Sequence, residues 1–298
     1  MTSTLVVLGD SLMDAGNISG LLGLIGQEPF SDSIYDKGNN VKASDGLVLS
    51  EHTIRWMGGD VKNTQNFNIL SAEPARPADI HNYAHGGALS GKGPARSFLG
   101  INIDIGLSNQ VKKMRERSSF YRKQSDVDVL LSTGGNDLLE ATVNNDQFRN
   151  ILLTRSKVDN RKYGRSISQT VAGNIVQAVD QITGLVDEVV VYGALPVSKT
   201  PRLKTWIKSM KSENSSDATK LLDNISTKIN RKLSTHFNND PSVALIDSSS
   251  LWKQTMKPKF VDDIHPTSRT SRRVAKLAVS TATRQLKSFG FITTSLAK

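Results

Sequence analysis

Ser11 lies in the stretch Gly9-Asp10-Ser11-Leu12-Met13-Asp14-Ala15-Gly16-Asn17, directly after the apolar run Leu5–Leu8. A serine at a strand-to-helix turn can expose its Oγ and receive the positive end of the following helix, which suits a nucleophile. A serine that merely caps a helix has the same surroundings. Near the other end, Val261-Asp262-Asp263-Ile264-His265-Pro266-Thr267 offers an imidazole with a carboxylate three residues before it. One turn of chain can place Asp262 against Nδ1 of His265 and leave Nε2 free for a hydroxyl. Asp263 is the adjacent rival. Of the five histidines only His265 has this setting. Two segments between these ends supply donors. Asn82-Tyr83-Ala84-His85-Gly86-Gly87-Ala88 carries paired glycines that can aim a backbone N–H at an oxyanion. Ser132-Thr133-Gly134-Gly135-Asn136-Asp137 offers the side-chain amide of Asn136. Taken alone, each segment reads more readily as a turn, a helix cap or a solvated loop.

The elements that must position these residues show in the periodicity. Leu5–Leu8, Val127–Leu131, Val189–Tyr192 and Val243–Ile246 are short apolar runs bounded by turn residues, as buried parallel strands are. Ile80–Ala84 is a weaker fifth. Helical spacing recurs between them. Val171–Val186 puts Ile175, Val179, Ile182 and Val186 on one face, and Ala218–Leu233 does the same with Leu222, Ile225, Ile229 and Leu233. Arg272–Leu286 forms a basic amphipathic helix. This alternation predicts a parallel sheet covered by helices on both faces. Three of the four reactive segments then fall at the C-terminal ends of strands, where such sheets place their sites. Gln27–Lys42 is expected to be a long loop and Ser209–Ser216 a solvated one. Neither repeats nor linkers divide the chain, so one domain over 1–298 is expected.

Composition removes some chemistries. The 298 residues include no cysteine, which excludes a thiol nucleophile, a disulfide scaffold and Cys-ligated zinc or iron–sulfur clusters. Lys and Arg number 38 against 28 Asp and Glu, a formal charge of +10, which points to an anionic partner. No window approaches eighteen apolar residues, so no membrane span is expected. Leu5–Leu8 lacks a basic leader and is too short for a signal sequence. The expectation is a cytoplasmic protein, one exported by a non-classical route, or one whose signal was removed before this numbering begins.

Taken together, the order Ser11, the block-two glycine, Asn136 and Asp262-x-x-His265 strongly resembles the GDSL family of the SGNH hydrolase superfamily. The resemblance extends to Ser44-Asp45-Gly46 with Glu51–Trp56 after it, and to Val189–Pro196. Asp14 and Gly16-Asn17 resemble the bacterial branch of esterases, lipases, phospholipases and acyltransferases. It implies a single three-layer α/β/α sandwich with a mainly parallel, flavodoxin-like five-stranded sheet. It implies Ser11 as nucleophile, His265 as base and then acid, and Asp262 as the orienting carboxylate, since Asp263 has the wrong spacing. The implied oxyanion hole uses the N–H of Ser11, the N–H of Gly87 and the side chain of Asn136. Gly87 is selected over Gly86 because the family glycine lies five residues after the Asn. No metal or cofactor is implied. The sequence departs from the family in the short stretch between Asp247 and Asp262, and in Val261 where an aromatic residue is usual, which leaves the acyl pocket undefined.

The implied substrate is an ester, with lipid or phospholipid acyl esters favoured and acyl transfer to another acceptor open. A carbohydrate O-acetyl esterase is the alternative enzyme. A catalytically silent basic module for membrane or nucleic acid is the alternative outside enzymes. Nucleic acid is not expected, because the basic stretches Lys112–Lys123, Arg155–Arg165, Arg202–Lys211 and Arg269–Lys287 have little aromatic interleaving. A basic face suits peripheral contact with an anionic membrane. The sequence leaves the oligomeric state undefined.

Overall fold

The strands Ser3–Gly9 (β1), Thr64–Asn66 (β2), Ile80–Asn82 (β3), Asp126–Ser132 (β4), Glu188–Tyr192 (β5) and Val243–Ile246 (β6) form one sheet in the order β2-β3-β1-β4-β5-β6. All five pairings are parallel. The computed structural model describes residues 3–24, 26–28, 30, 33–36, 41–67, 69–70, 73–93, 103–143, 145, 148, 150, 157–210, 212–255 and 257–286. The described helices are Asn17–Gly23 (α1), Leu49–Trp56 (α2), Leu107–Arg115 (α3), Ser118–Tyr121 (α4), Gly135–Glu140 (α5), Lys157–Asp180 (α6), Pro201–Lys208 (α7), Ser212–Phe237 (α8), Ser248–Gln254 (α9) and Ser268–Gln285 (α10).

Strand alternation builds two cores. Val6, Leu8, Val129, Leu131, Val189 and Val191 face a layer made by α3, α6, α7 and α8. Leu5, Val7, Leu130, Val190, Ala244 and Ile246 face the other layer, made by α2, α9 and α10. Because both faces are covered, Leu5–Leu8 of β1 and Val189–Val191 of β5 read as unbroken apolar runs instead of alternating ones. Each fully buried Leu, Val or Ile contributes about 1.5–3 kcal/mol of apolar transfer.

Six strands form where five were expected. The additional β2 is Thr-Gln-Asn, three polar residues at the sheet edge, and it pairs with β3 in register Thr64↔Ile80. With so few apolar neighbours on an edge it has no apolar run to reveal it. Without β2, the order β3-β1-β4-β5-β6 is the flavodoxin-like one, with the switch point between β1 and β4. The periodic segment Val171–Val186 overshoots the helix. α6 ends at Asp180, residues 181–185 are turns with Gly184 among them, and Val186 packs on the core from outside the helix. The connection expected at Ser209–Ser216 is shorter than that, since α8 already starts at Ser212. Ser and Asp residues tolerate the first turns of a helix, where open N–H groups and the dipole welcome their oxygens. The described residues of 27–42 belong to no helix or strand.

Candidate active site

β1 ends at Gly9, whose φ of 140° places it where a side chain is not accepted; an added Cβ would lie 2.0 Å from the Ser132 carbonyl oxygen of β4. The chain therefore turns hard against the end of β4. Gln110 holds that turn from both sides, accepting from the Gly9 N–H at 2.8 Å and donating to the Gly9 carbonyl at 2.9 Å. Asp14 fixes the next turn. Its carboxylate accepts from the N–H groups of Gly16 (2.8 Å), Asn17 (2.6 Å), Ile18 (3.0 Å) and, across the chain, Gly86 (2.7 Å). Asn17 donates to the carbonyls of Asn82 and Ala84, both at 2.9 Å. The first two reactive segments are thus stitched together by buried hydrogen bonds.

Ser11 sits on this turn with its Oγ 2.9 Å from Nε2 of His265. Nδ1 of the same ring is 2.6 Å from Oδ2 of Asp262. With Asp262 accepting at Nδ1–H, the imidazole leaves Nε2 as an acceptor for the serine hydroxyl. The loop carrying this pair is braced by a Phe260–Pro266 bridge and by the Val261 N–H donating to the His265 carbonyl at 2.9 Å. Thr267 then caps α10 through the Thr270 N–H. Asp263, the rival carboxylate, is turned away and pairs with Arg202 at 3.0 Å.

Asp262 is unusually well held. Oδ1 accepts from the N–H groups of Ile264 (2.7 Å) and His265 (2.5 Å), and Oδ2 also accepts from the Tyr35 hydroxyl at 2.8 Å. Burial works to raise its pKa. The hydrogen bond and charge of His265 and the two backbone donors outweigh burial and hold the carboxyl well below the usual range. Phe30 lies beside Tyr35, ring centres 5.1 Å apart, and meets the His265 ring edge-on at 6.3 Å.

The donors expected around an oxyanion converge on the same edge. Among the described residues the N–H groups of Ser11 and Gly87 have no acceptor, whereas Gly86 is committed to Asp14. Gly87 takes a φ of 83°, in the left-handed region that glycine enters freely. Asn136 stands on α5, which follows Gly134 at a φ of 102°. One of its amide hydrogens goes to the Ala88 carbonyl at 2.9 Å, which orients the side chain and leaves the other available. Asp137 accepts from the Ser90 N–H and hydroxyl at 2.8 and 2.7 Å, locking the second and third segments together.

Beside Ser11 opens a small cavity of about 60 Å³. Its apolar wall is Leu139, Leu195, Val197, Trp252, Phe260 and Ile264. Asp10 lies on its floor, 5% exposed. Burial raises the Asp10 carboxyl to about 7, against the Leu12 N–H and the charge of His265, and the neighbouring Asp137 pushes the same way as burial.

A family profile described as GDSL-like lipase/acylhydrolase matches residues 5–278. The chain belongs to that family. It is a carboxylic ester hydrolase of the GDSL type, built on a three-layer sheet-and-helix fold. Among curated proteins, no sequence matches this GDSL hydrolase. Solved structures similar to it include an extracellular lipase from Streptomyces rimosus, at 16% identity and a TM-score of 0.48, covering 95% of this chain and 100% of that one. A phospholipase A1 from Streptomyces albidoflavus is similar at 16% identity and a TM-score of 0.46, covering 94% and 99%. An acetylxylan esterase from Geobacillus stearothermophilus is similar at 12% identity and a TM-score of 0.39, covering 92% and 91%. Among the described residues of the GDSL hydrolase no helix is long and apolar enough to cross a membrane.

Tyr35, Gln110 and the cavity wall escape the sequence reading. Tyr35 lies in a segment rich in Gly, Asn, Asp and Ser and meets Asp262 across 227 residues, so no spacing signals it. Trp252 and Phe260 come from the stretch between Asp247 and Asp262 that left the pocket undefined. Phe260, an apolar residue in the loop before His265, was the available signal.

Proposed function

We propose that the GDSL hydrolase cleaves lipid acyl esters through a covalent acyl-enzyme on Ser11, with His265 as base and acid and Asp262 as orienting carboxylate. The observation that carries this reading is the unbroken chain Ser11 Oγ–His265–Asp262, at 2.9 and 2.6 Å, on the rim of an apolar cavity.

Ser11 Oγ attacks the ester carbonyl while Nε2 of His265 takes its proton. The charge that develops on the carbonyl oxygen is met by the N–H groups of Ser11 and Gly87 and by the Asn136 amide. The imidazolium, held by Asp262, returns the proton to the departing alcohol as the carbonyl re-forms. A water then gives a proton to His265 and attacks the acyl carbon. Collapse releases the acid and restores the Ser11 hydroxyl. The wall of Leu139, Leu195, Val197, Trp252, Phe260 and Ile264 favours an acyl chain over a sugar.

The test is a p-nitrophenyl ester series from acetate to palmitate on wild type and Ser11→Ala. A lipid esterase gives kcat/KM rising with chain length, and Ser11→Ala loses turnover. Undiminished hydrolysis by purified Ser11→Ala removes the mechanism. Activity confined to acetate, with acetate release from acetylated glycans, replaces the lipid reading with an O-acetyl esterase.

A further inference from the structure

The catalytic machinery accounts for little of the +10 charge. One region concentrates what remains. α10 is Ser-Arg-Thr-Ser-Arg-Arg-Val-Ala-Lys-Leu-Ala-Val-Ser-Thr-Ala-Thr-Arg-Gln, without a single acidic residue. Its buried side is Val274, Ala275, Ala278, Val279 and Ala282. Arg269, Arg272, Arg273 and Lys276 all project to solvent. They fall at i, i+3, i+4 and i+7, so they form one stripe about 10 Å long. Arg55 and Trp56, at the end of α2, lie beside it. Arg55, Trp56, Arg272 and the buried His52 line a groove between the two helices. Among the described residues none of Arg55, Arg269, Arg272, Arg273 or Lys276 has a carboxylate within ion-pair distance.

Trp56 is 40% exposed, a large indole left in water, with Lys276 Nζ 5.2 Å from its ring centre. An exposed indole flanked by cations matches the interfacial zone of a bilayer, where the ring sits among headgroups. The groove is tied to the active-site edge. His52 Nε2 meets the Ser268 hydroxyl at 2.9 Å, and Ser268 is three residues beyond His265. Burial, and after it the charges of Arg55 and Arg272, bring the His52 ring down to about 4.

We infer that the α2–α10 face, with Arg55, Trp56, Arg269, Arg272 and Lys276, docks the protein on an anionic lipid surface. Beyond the groove the cations continue along α10 for about 10 Å, which fits an array of headgroups better than a single bound phosphate. The lone indole beside them fits a bilayer interface better than a polyanion in free solution.

The experiment uses Ser11→Ala protein, so that hydrolysis does not alter the vesicles and docking is read separately from catalysis. Binding is measured by co-sedimentation with phosphatidylcholine vesicles containing or lacking phosphatidylglycerol, with tryptophan emission recorded in parallel. Docking by this face gives binding only with phosphatidylglycerol, weakening from 50 to 500 mM salt, and a blue shift that Trp56→Phe abolishes. Replacing Arg269, Arg272 and Lys276 by Gln lowers the partition coefficient by about a hundredfold, from roughly fivefold per cation. The control replaces Lys112, Arg122 and Lys123, which lie on the opposite layer and remove the same charge. Equal losses in the two triple variants overturn the proposal, because binding then follows net charge alone. Equal binding to neutral vesicles, or tighter binding to duplex DNA than to anionic vesicles with Trp56 emission unchanged, also overturns it. Circular dichroism matched to wild type keeps each variant interpretable.

Discussion

Replacing Tyr35 by Phe removes one hydroxyl and nothing else. That hydroxyl donates to Oδ2 of Asp262 at 2.8 Å, the oxygen that also faces Nδ1 of His265. A hydrogen bond to a charged group contributes about 1.5–3 kcal/mol. Three other donors stay on Asp262, so the lower end applies, and about 1.4 kcal/mol corresponds to a tenfold loss in kcat. Tyr35 does not line the cavity, so KM should move by less than about twofold. The Phe ring keeps the packing against Phe30 and the fold with it. Steady-state kinetics on the best p-nitrophenyl ester measure the split. The decisive step is a double-mutant cycle with Asp262→Asn. If Tyr35 acts through Asp262, adding Tyr35→Phe to Asp262→Asn costs nothing further. A second tenfold loss in that background, or an unchanged kcat in the single variant, would refute the idea that the hydroxyl positions the carboxylate.

Three further outcomes follow from the geometry. If Asn136 is the proposed oxyanion donor, Asn136→Ala lowers kcat by about 10²–10³ with the fold intact, measured on the same ester. Leu195→Trp should fill the cavity beside Ser11, leaving acetate turnover within about threefold while cutting activity on octanoate by at least about tenfold; parallel losses on both esters would mean that the acyl chain lies elsewhere. Asp10→Asn should change the pH dependence of stability. A carboxyl raised from 3.8 to about 7 keeps its proton in the folded chain and loses it in the unfolded one across that window. Its contribution is complete below about pH 4 and is lost as pH rises through about 7, up to about 4 kcal/mol at the 1.36 kcal/mol per pH unit of linkage. Asn stays neutral in both states and can still accept from the Leu12 N–H. The variant should therefore gain on wild type between pH 5 and pH 8 in urea unfolding. His52 and His81, held down to about 4, act with the opposite sign in wild type and variant alike, so only the difference between the two chains isolates Asp10. A difference independent of pH would mean that Asp10 is already ionised at pH 5.

What the amino-acid order reveals here depends on how far each feature reaches. Leu5–Leu8 and Val189–Tyr192 are legible as strands because β1 and β5 lie inside the sheet with both faces buried, so the whole run is apolar. β2 obeys no such demand, since it touches the sheet only through β3 and its three side chains are polar. Asp262 and His265 are legible as a pair because one turn of chain brings them together, and the structure places them 2.6 Å apart. Ser11, Gly87 and Asn136 are legible because each stands just beyond a strand end, and a parallel sheet gathers those ends on one edge.

Tyr35 belongs to no element, and its contact with Asp262 is made between two loops. Gln110 shares the buried face of α3 with Leu107, Val111 and Met114, but a polar side chain on that face gives no sign of its partner. It is fully buried, and its side-chain amide both accepts from and donates to the backbone of Gly9 at the end of β1. The cavity wall follows the same logic. Leu139, Leu195, Trp252 and Phe260 each satisfy an ordinary core pattern locally, and only the crossing of α5, the turn after β5, α9 and the Phe260 loop leaves a gap between them. The proposed nucleophile and oxyanion donors stand just beyond strand ends, and the proposed base is paired with Asp262 by one turn of loop. The proposed acyl pocket is the space that four separate segments enclose, and that space has no counterpart in any one of them.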